Sequence, residues 1–96
     1  MEIRPFRASD RATVITLWHR CDLTRPWNDP DADIDRKIAH DPDGFLVGSV
    51  DGRVVASVMA GYDGHRGWIN YLAVDPDRRG GGLGAELVRA AERHVR

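Results

Sequence analysis

The chain has 96 residues, 42% of them hydrophobic and 30% charged, which is the composition of one small globular domain and leaves no length for a second. Its 14 basic and 15 acidic residues give a net charge of −1, so no global field draws it to nucleic acid or to an anionic membrane. The single cysteine, Cys21, excludes an intramolecular disulfide, and no run reaches the roughly 20 apolar residues of a spanning helix, so a cytoplasmic protein off the membrane is expected.

Glu2 to Arg7 reads as a first strand, and Pro5 assigns it an edge or end position because proline has no N–H for a ladder hydrogen bond. A helix follows with Ser9 or Asp10 as its N-cap and runs to about Asp22. Its apolar stripe of Val14, Ile15, Trp18 and Cys21 requires a sheet to cover. Thr24 to Asp31, with two prolines and an Asn-Asp pair, reads as a loop. A second helix is expected from about Ala32 to His40, with Ile34 and Ile38 on its buried side. Asp22 to Asp43 holds seven acidic and three basic residues, either a solvated face or an acidic rim for a cationic substrate.

After Pro42 the pattern changes to strands. Phe45 to Val50 and Val54 to Tyr62 flank Asp51-Gly52, a pair suited to a type I′ hairpin turn. A longer turn from Asp63 to Gly67 leads into Trp68 to Val74, aromatic and β-branched enough for a buried strand. From about Gly82 a helix runs to the C-terminus with Gly84, Leu87, Val88, Ala91 and Val95 on one face. The order β-α-α-β-β-β-α describes an α+β domain with an antiparallel meander.

The sharpest chemical signal is the glycine-rich turn Val74-Asp-Pro-Asp-Arg-Arg-Gly-Gly-Gly-Leu-Gly84 between a strand and a helix. Glycines let main-chain N–H groups converge, and the first turn of a helix offers unsatisfied amides and a positive dipole end, so the segment suits an anion such as a diphosphate. Arg78 and Arg79 would add charge-assisted hydrogen bonds. The alternative is a flexible turn with no ligand. A P-loop is excluded because Gly-Lys-Ser/Thr is absent. Gly80, Gly82 and Ala85 formally match the Rossmann pattern, but the first glycine follows the strand too late and no ribose-binding acid fits within the chain. His19, His40 and His94 have no metal-ligand spacing with one another or with Cys21, so no metal is expected.

Arg79-Gly80-Gly81-Gly82-Leu83-Gly84, preceded by Leu72-Ala73-Val74-Asp75-Pro76, resembles the acetyl-CoA motif of the GNAT superfamily of N-acetyltransferases. The element order is also that family's, for essentially the whole chain. The stretches Cys21 to Pro30 and Gly61 to Gly67 further resemble the small bacterial YpeA-like subgroup. The resemblance implies the acyl-CoA N-acyltransferase fold and transfer of acetyl from acetyl-CoA to a primary amine by direct attack. It assigns the CoA pyrophosphate to the turn from Arg79 through Gly80, Gly81, Gly82, Leu83 and Gly84 to Ala85, and the pantetheine to main-chain hydrogen bonds along Leu72, Ala73 and Val74. The N–H of Leu72 or Ala73 is expected to polarise the thioester carbonyl, and Trp27 to shape the acceptor site.

Two departures follow from the same resemblance. Where the family often has a Glu on the fourth strand to accept the amine proton, this chain has Asn70, which can orient substrate or water but is no base. Proton removal then falls to water or a neighbour, with His65, Asp63 and Tyr71 as candidates. Each has a bland alternative, as a solvated hairpin residue, a turn residue and core packing respectively. The family's next strand, its helix with a Tyr general acid and its closing hairpin are also not in this sequence. That predicts an exposed fourth-strand edge able to pair with another copy, and it leaves a non-catalytic CoA-binding module or an inactive fragment as the alternative function.

Overall fold

A computed structural model describes residues 1–24, 26, 29–62 and 64–95. The elements are β1 (Glu2–Pro5), α1 (Arg11–Arg20), α2 (Pro30–His40), β2 (Phe45–Val50), β3 (Arg53–Tyr62), β4 (Gly67–Val74) and α3 (Leu83–His94), in the predicted order. The four strands form one antiparallel sheet in the order β1-β2-β3-β4. The turn between β2 and β3 has positive φ at both Asp51 (53°) and Gly52 (79°), as a type I′ turn requires.

Helices cover both faces of the sheet. Val14, Leu17 and Trp18 of α1 and Ile34 of α2 pack with Phe45, Val47, Met59 and Ala73 on one face. Leu87 and Ala91 of α3 pack on Ala56, Val58 and Ala60 on the other. Strand β3 is therefore buried on both sides, which explains the nearly unbroken apolar run Val54-Val55-Ala56-Ser57-Val58-Met59-Ala60 where one exposed face would have required alternation. Its one buried hydroxyl, Ser57, accepts a 2.9 Å hydrogen bond from the Trp18 indole.

Four expectations need correction. Helix α1 stops at Arg20, because Asp22 adopts φ 58° and the N–H groups of Asp22 and Leu23 bond back to the carbonyls of His19 and Trp18 in a Schellman motif. Helix α2 begins two residues early: Pro30 occupies its first position, where no N–H is needed, and the Asp29 side chain caps it through Ala32 N. Ile38 is exposed, and Lys37, one turn on from Ile34 at i+3, is buried in its stead. Strand β4 is not the buried strand its aromatic and β-branched residues suggest, since only Ala73 is buried; it is the exposed edge that the family resemblance implies, with no fifth strand beside it among the described residues.

Candidate active site

Chemistry-bearing residues converge at β4. The register of β3 and β4 runs Met59↔Asn70 and then Ser57↔Ala73, so Tyr71 and Leu72 together face only Val58. This is a β-bulge, and Tyr71 takes φ 53° to make it. Bulges redirect side chains, and here consecutive residues line different clefts. Leu72 borders one with Val74 and the glycine-rich turn, while Tyr71 borders another with Asn70 and Met59.

The first cleft, of about 380 Å³, is lined by Leu72, Val74, Arg78, Arg79, Gly80, Gly82, Leu83 and Gly84. Helix α3 starts at Leu83 with Gly82 as N-cap, and its first intrahelical bond is Glu86 N to Gly82 O at 3.1 Å. The N–H groups of Leu83, Gly84 and Ala85 thus have no acceptor within the helix. Gly80 and Gly82 have φ of 90° and 79°, and a Cβ at either would meet no atom within 4 Å. Side chains there would be strained and would project into open space, so the turn has the geometry of a cradle for an anion at the positive end of α3.

The cradle is tied to the rest of the molecule. Asp75 accepts from Asp77 N at 2.9 Å and pairs with Arg20 of α1 at 3.1 Å, while Arg20 also reaches Asp77 at 3.2 Å. The Asp77 amide and the Arg20 guanidinium hold the Asp75 carboxyl below the usual carboxylate range. Arg79 donates from Nε to Val74 O at 3.3 Å, the carbonyl that also receives Cys21 Sγ. Cys21 is half-buried at the edge of the core, as a small apolar residue would be.

The second cleft, of about 400 Å³, lies between α2 and the outer half of β3 and β4. Its carboxylates are Asp33 and Asp41, its cations Arg36 and Lys37, its aromatic walls Trp68, Tyr62 and Tyr71. Tyr71 stacks on Trp18 with ring centroids 4.2 Å apart and donates its hydroxyl to Asp33 Oδ2. Burial, followed by that hydrogen bond, pushes the Tyr71 phenol up to about 12, so the hydroxyl is held as a donor to Asp33 at neutral pH. Lys37 is fully partnered in place: Nζ donates to Ala60 O at 2.5 Å, pairs with Asp41 at 3.2 Å and lies 4.8 Å over the Trp68 ring. His94 of α3 approaches the same Asp41 oxygen at 3.0 Å. Burial opposes the Asp41 charge, and the bonds from His94 and Lys37 outweigh it, so its carboxyl lies below the usual range.

The sequence-derived residues therefore divide between the two clefts. Leu72, Val74, Arg79, Gly80, Gly82, Leu83 and Gly84 line one, with Gly81 and Ala85 in the same turn and helix start and Ala73 buried beneath; Asn70 and Tyr71 line the other. His65 is exposed on the β3–β4 connection and lines neither. Trp27 and Asp63 lie outside the described residues. Asp33, Lys37, Asp41, Trp68 and His94 escaped the sequence reading. Asp33 and Lys37 stand four apart, a helical same-face spacing that could have flagged the pair; His94 meets them only through tertiary packing. The acidic excess around α2 is largely paired: Arg11 bridges Asp31 and Asp35, and Arg36 pairs with Asp33. Among the described residues no group of three or more His, Cys, Asp or Glu could hold a metal, and no helix is long and apolar enough to cross a membrane.

Comparison with known proteins bears on this geometry. The model of the acetyltransferase (GNAT) family matches residues 12–96. An acetyltransferase of Pectobacterium atrosepticum is 60% identical over 95 residues, covering 99% of this chain and 67% of the relative. One from Yersinia enterocolitica is 57% identical with the same coverage, so the chain spans about two thirds of the length of these relatives. Among solved structures, Ard1 from Thermoplasma volcanium superposes with a TM-score of 0.83 at 26% identity, covering 97% of this chain and 62% of that one. A GNAT family acetyltransferase from Brucella melitensis in complex with acetyl-CoA gives 0.71 at 20% identity, covering 97% and 66%, a likeness of fold.

Proposed function

This chain belongs to the acetyltransferase (GNAT) family, a family of acyltransferase enzymes, and from that premise we propose that it moves the acetyl group of acetyl-CoA onto a primary amine in the cytoplasm. The observation that supports the reading is the bulge at Tyr71-Leu72, by which adjacent residues of one strand border the cleft of the glycine-rich turn and the second cleft.

The amides of Leu83, Gly84 and Ala85, with the open backbone of Gly80 and Gly82 and the flanking Arg79, receive the pyrophosphate; Gly81 completes the turn. Leu72 to Val74 borders the cradle and is suited to run beside an extended pantetheine arm. Acetyl-CoA supplies the activated acyl group. Leu72 has no partner in the β3–β4 register, and its N–H, or that of Ala73, is the proposed donor to the thioester oxygen. A preorganised donor of this kind is worth about 3–4 kcal/mol in acyl transfer. Asn70 lies in the second cleft and is assigned to orient the acceptor, since a carboxamide takes up no proton at neutral pH. Trp27 is proposed to shape the acceptor side.

Incubation with acetyl-CoA and a panel of primary amines, with thiol release and acetylated product followed together, tests the reading. Amine-dependent thiol release matched by acetylated amine is expected. Binding of CoA with no transfer to any amine would leave a CoA-binding module in its place.

A further inference from the structure

The second cleft is not electrostatically uniform. Lys37 and Asp41 satisfy each other, with Ala60 O and His94 as further partners, and so present little free charge. Arg36 sits on the rim with a side chain 66% exposed, so a ligand cation entering the cleft competes for Asp33 with a solvated guanidinium and not with a buried one. Asp33 itself is only 21% exposed and does not share that freedom. Its Oδ2 receives the Tyr71 hydroxyl, Tyr71 stacks on Trp18, and the Trp18 indole is fixed on buried Ser57. A carboxylate accepts about four hydrogen bonds, so two partners leave it unsaturated. The same cleft is lined by Trp68, Tyr71, Tyr62 and Met59.

A fixed carboxylate in a cleft with aromatic walls is the chemistry that selects an organic cation. Lys37 already lies over Trp68 and Tyr71 stacks on Trp18, which leaves the exposed Tyr62 as the aromatic surface for the ligand. Resting on the acetyltransferase reading above, we propose that Asp33 is the anchor for the acceptor's ammonium, and that the acceptor is a primary amine with an apolar or aromatic body and no carboxylate beside the amine. An anionic substituent would face Asp33 and gain only the exposed Arg36 on the rim. The exposed His40 also borders the cleft but lies nearly two turns along α2 from Asp33.

Phenethylamine, 2-phenylethanol and phenylacetate share one body and differ in charge. Titration of each into the nitrogen-15-labelled chain near neutral pH, followed at the Asp33, Tyr71 and Trp68 signals, reads the preference directly. The ammonium is expected to bind at least about tenfold more tightly than the alcohol and the carboxylate more weakly than either, a tenfold step being about 1.4 kcal/mol. Asp33→Asn should bring ammonium and alcohol together, while Asp33→Glu keeps the preference. Equal binding of ammonium and alcohol, preference for phenylacetate, or no ammonium binding by the unaltered chain would each overturn the proposal. The unaltered chain decides between these even if a variant fails to fold. A parallel CoA titration separates the two readings. Ammonium preference without CoA binding upholds Asp33 and removes the transferase reading, whereas CoA binding without ammonium preference removes the Asp33 assignment and leaves the transferase reading to the amine-panel assay.

Discussion

Gly61 is opposite Trp68 in the β3–β4 ladder, and a Cβ at Gly61 would come within 2.3 Å of the indole. The ring lies across the glycine, so the cleft wall depends on a missing side chain. Gly61→Val is therefore expected to displace Trp68 and to cost about 1–3 kcal/mol, the usual range for overpacking. Chemical denaturation of the variant checks this, and unchanged stability would show that the indole has another place to go. The contrast with Gly82 is instructive. There nothing crowds the Cβ position and the constraint is the left-handed φ of 79°, which the glycine cluster announced in the sequence. The need at Gly61 comes from a residue seven positions away across a hairpin, and no local pattern signals it. The same holds for Asp33: its acidity was read as part of a regional excess, but its partner Tyr71 was reachable only once the bulge turned that side chain toward α2.

Three carboxylates each join two elements. Asp10 at the start of α1 holds Arg4 of β1 through both oxygens and caps Arg7 N at 2.8 Å. Asp41 joins α2 to α3 through Lys37 and His94, and Asp75 joins the end of β4 to Arg20 of α1. All three carboxyls lie below their ordinary value of 3.8, Asp10 chiefly through the Arg4 hydrogen bonds. The unfolded chain then binds more protons in acid than the folded one. Their stabilisation is complete above the unfolded value and is lost as pH falls through the lower folded values. Thermal unfolding should show a falling Tm below about pH 4, and the fall should be smaller in Asp75→Asn. A Tm that does not respond to acid in this range would contradict the role given to these pairs. At this scale the elements were legible because hydrophobic period, caps and turn pairs are local. What was misread, the Pro30 start of α2 and the Lys37 face, turned on one capping bond from Asp29 and on a buried cation with carbonyl and carboxylate partners.

For the molecule as a whole, helices on both faces of a four-stranded sheet bring the positive end of α3 beside the bulged edge strand, and both clefts open along it. The antiparallel meander was legible from its turn signals and short connections, whereas the acyltransferase arrangement of helices about the sheet was available only as what the family resemblance implies. The claim on which the function rests is that the glycine turn is a phosphate cradle, and titration calorimetry of CoA into the unaltered chain and into Gly82→Val tests it most directly. Saturable binding that weakens by at least about tenfold in the variant, or about 1.4 kcal/mol, is the predicted result, because valine is strained at that φ and fills the cradle. Equal affinity in the two proteins, or no heat from the unaltered chain at millimolar CoA, would contradict it.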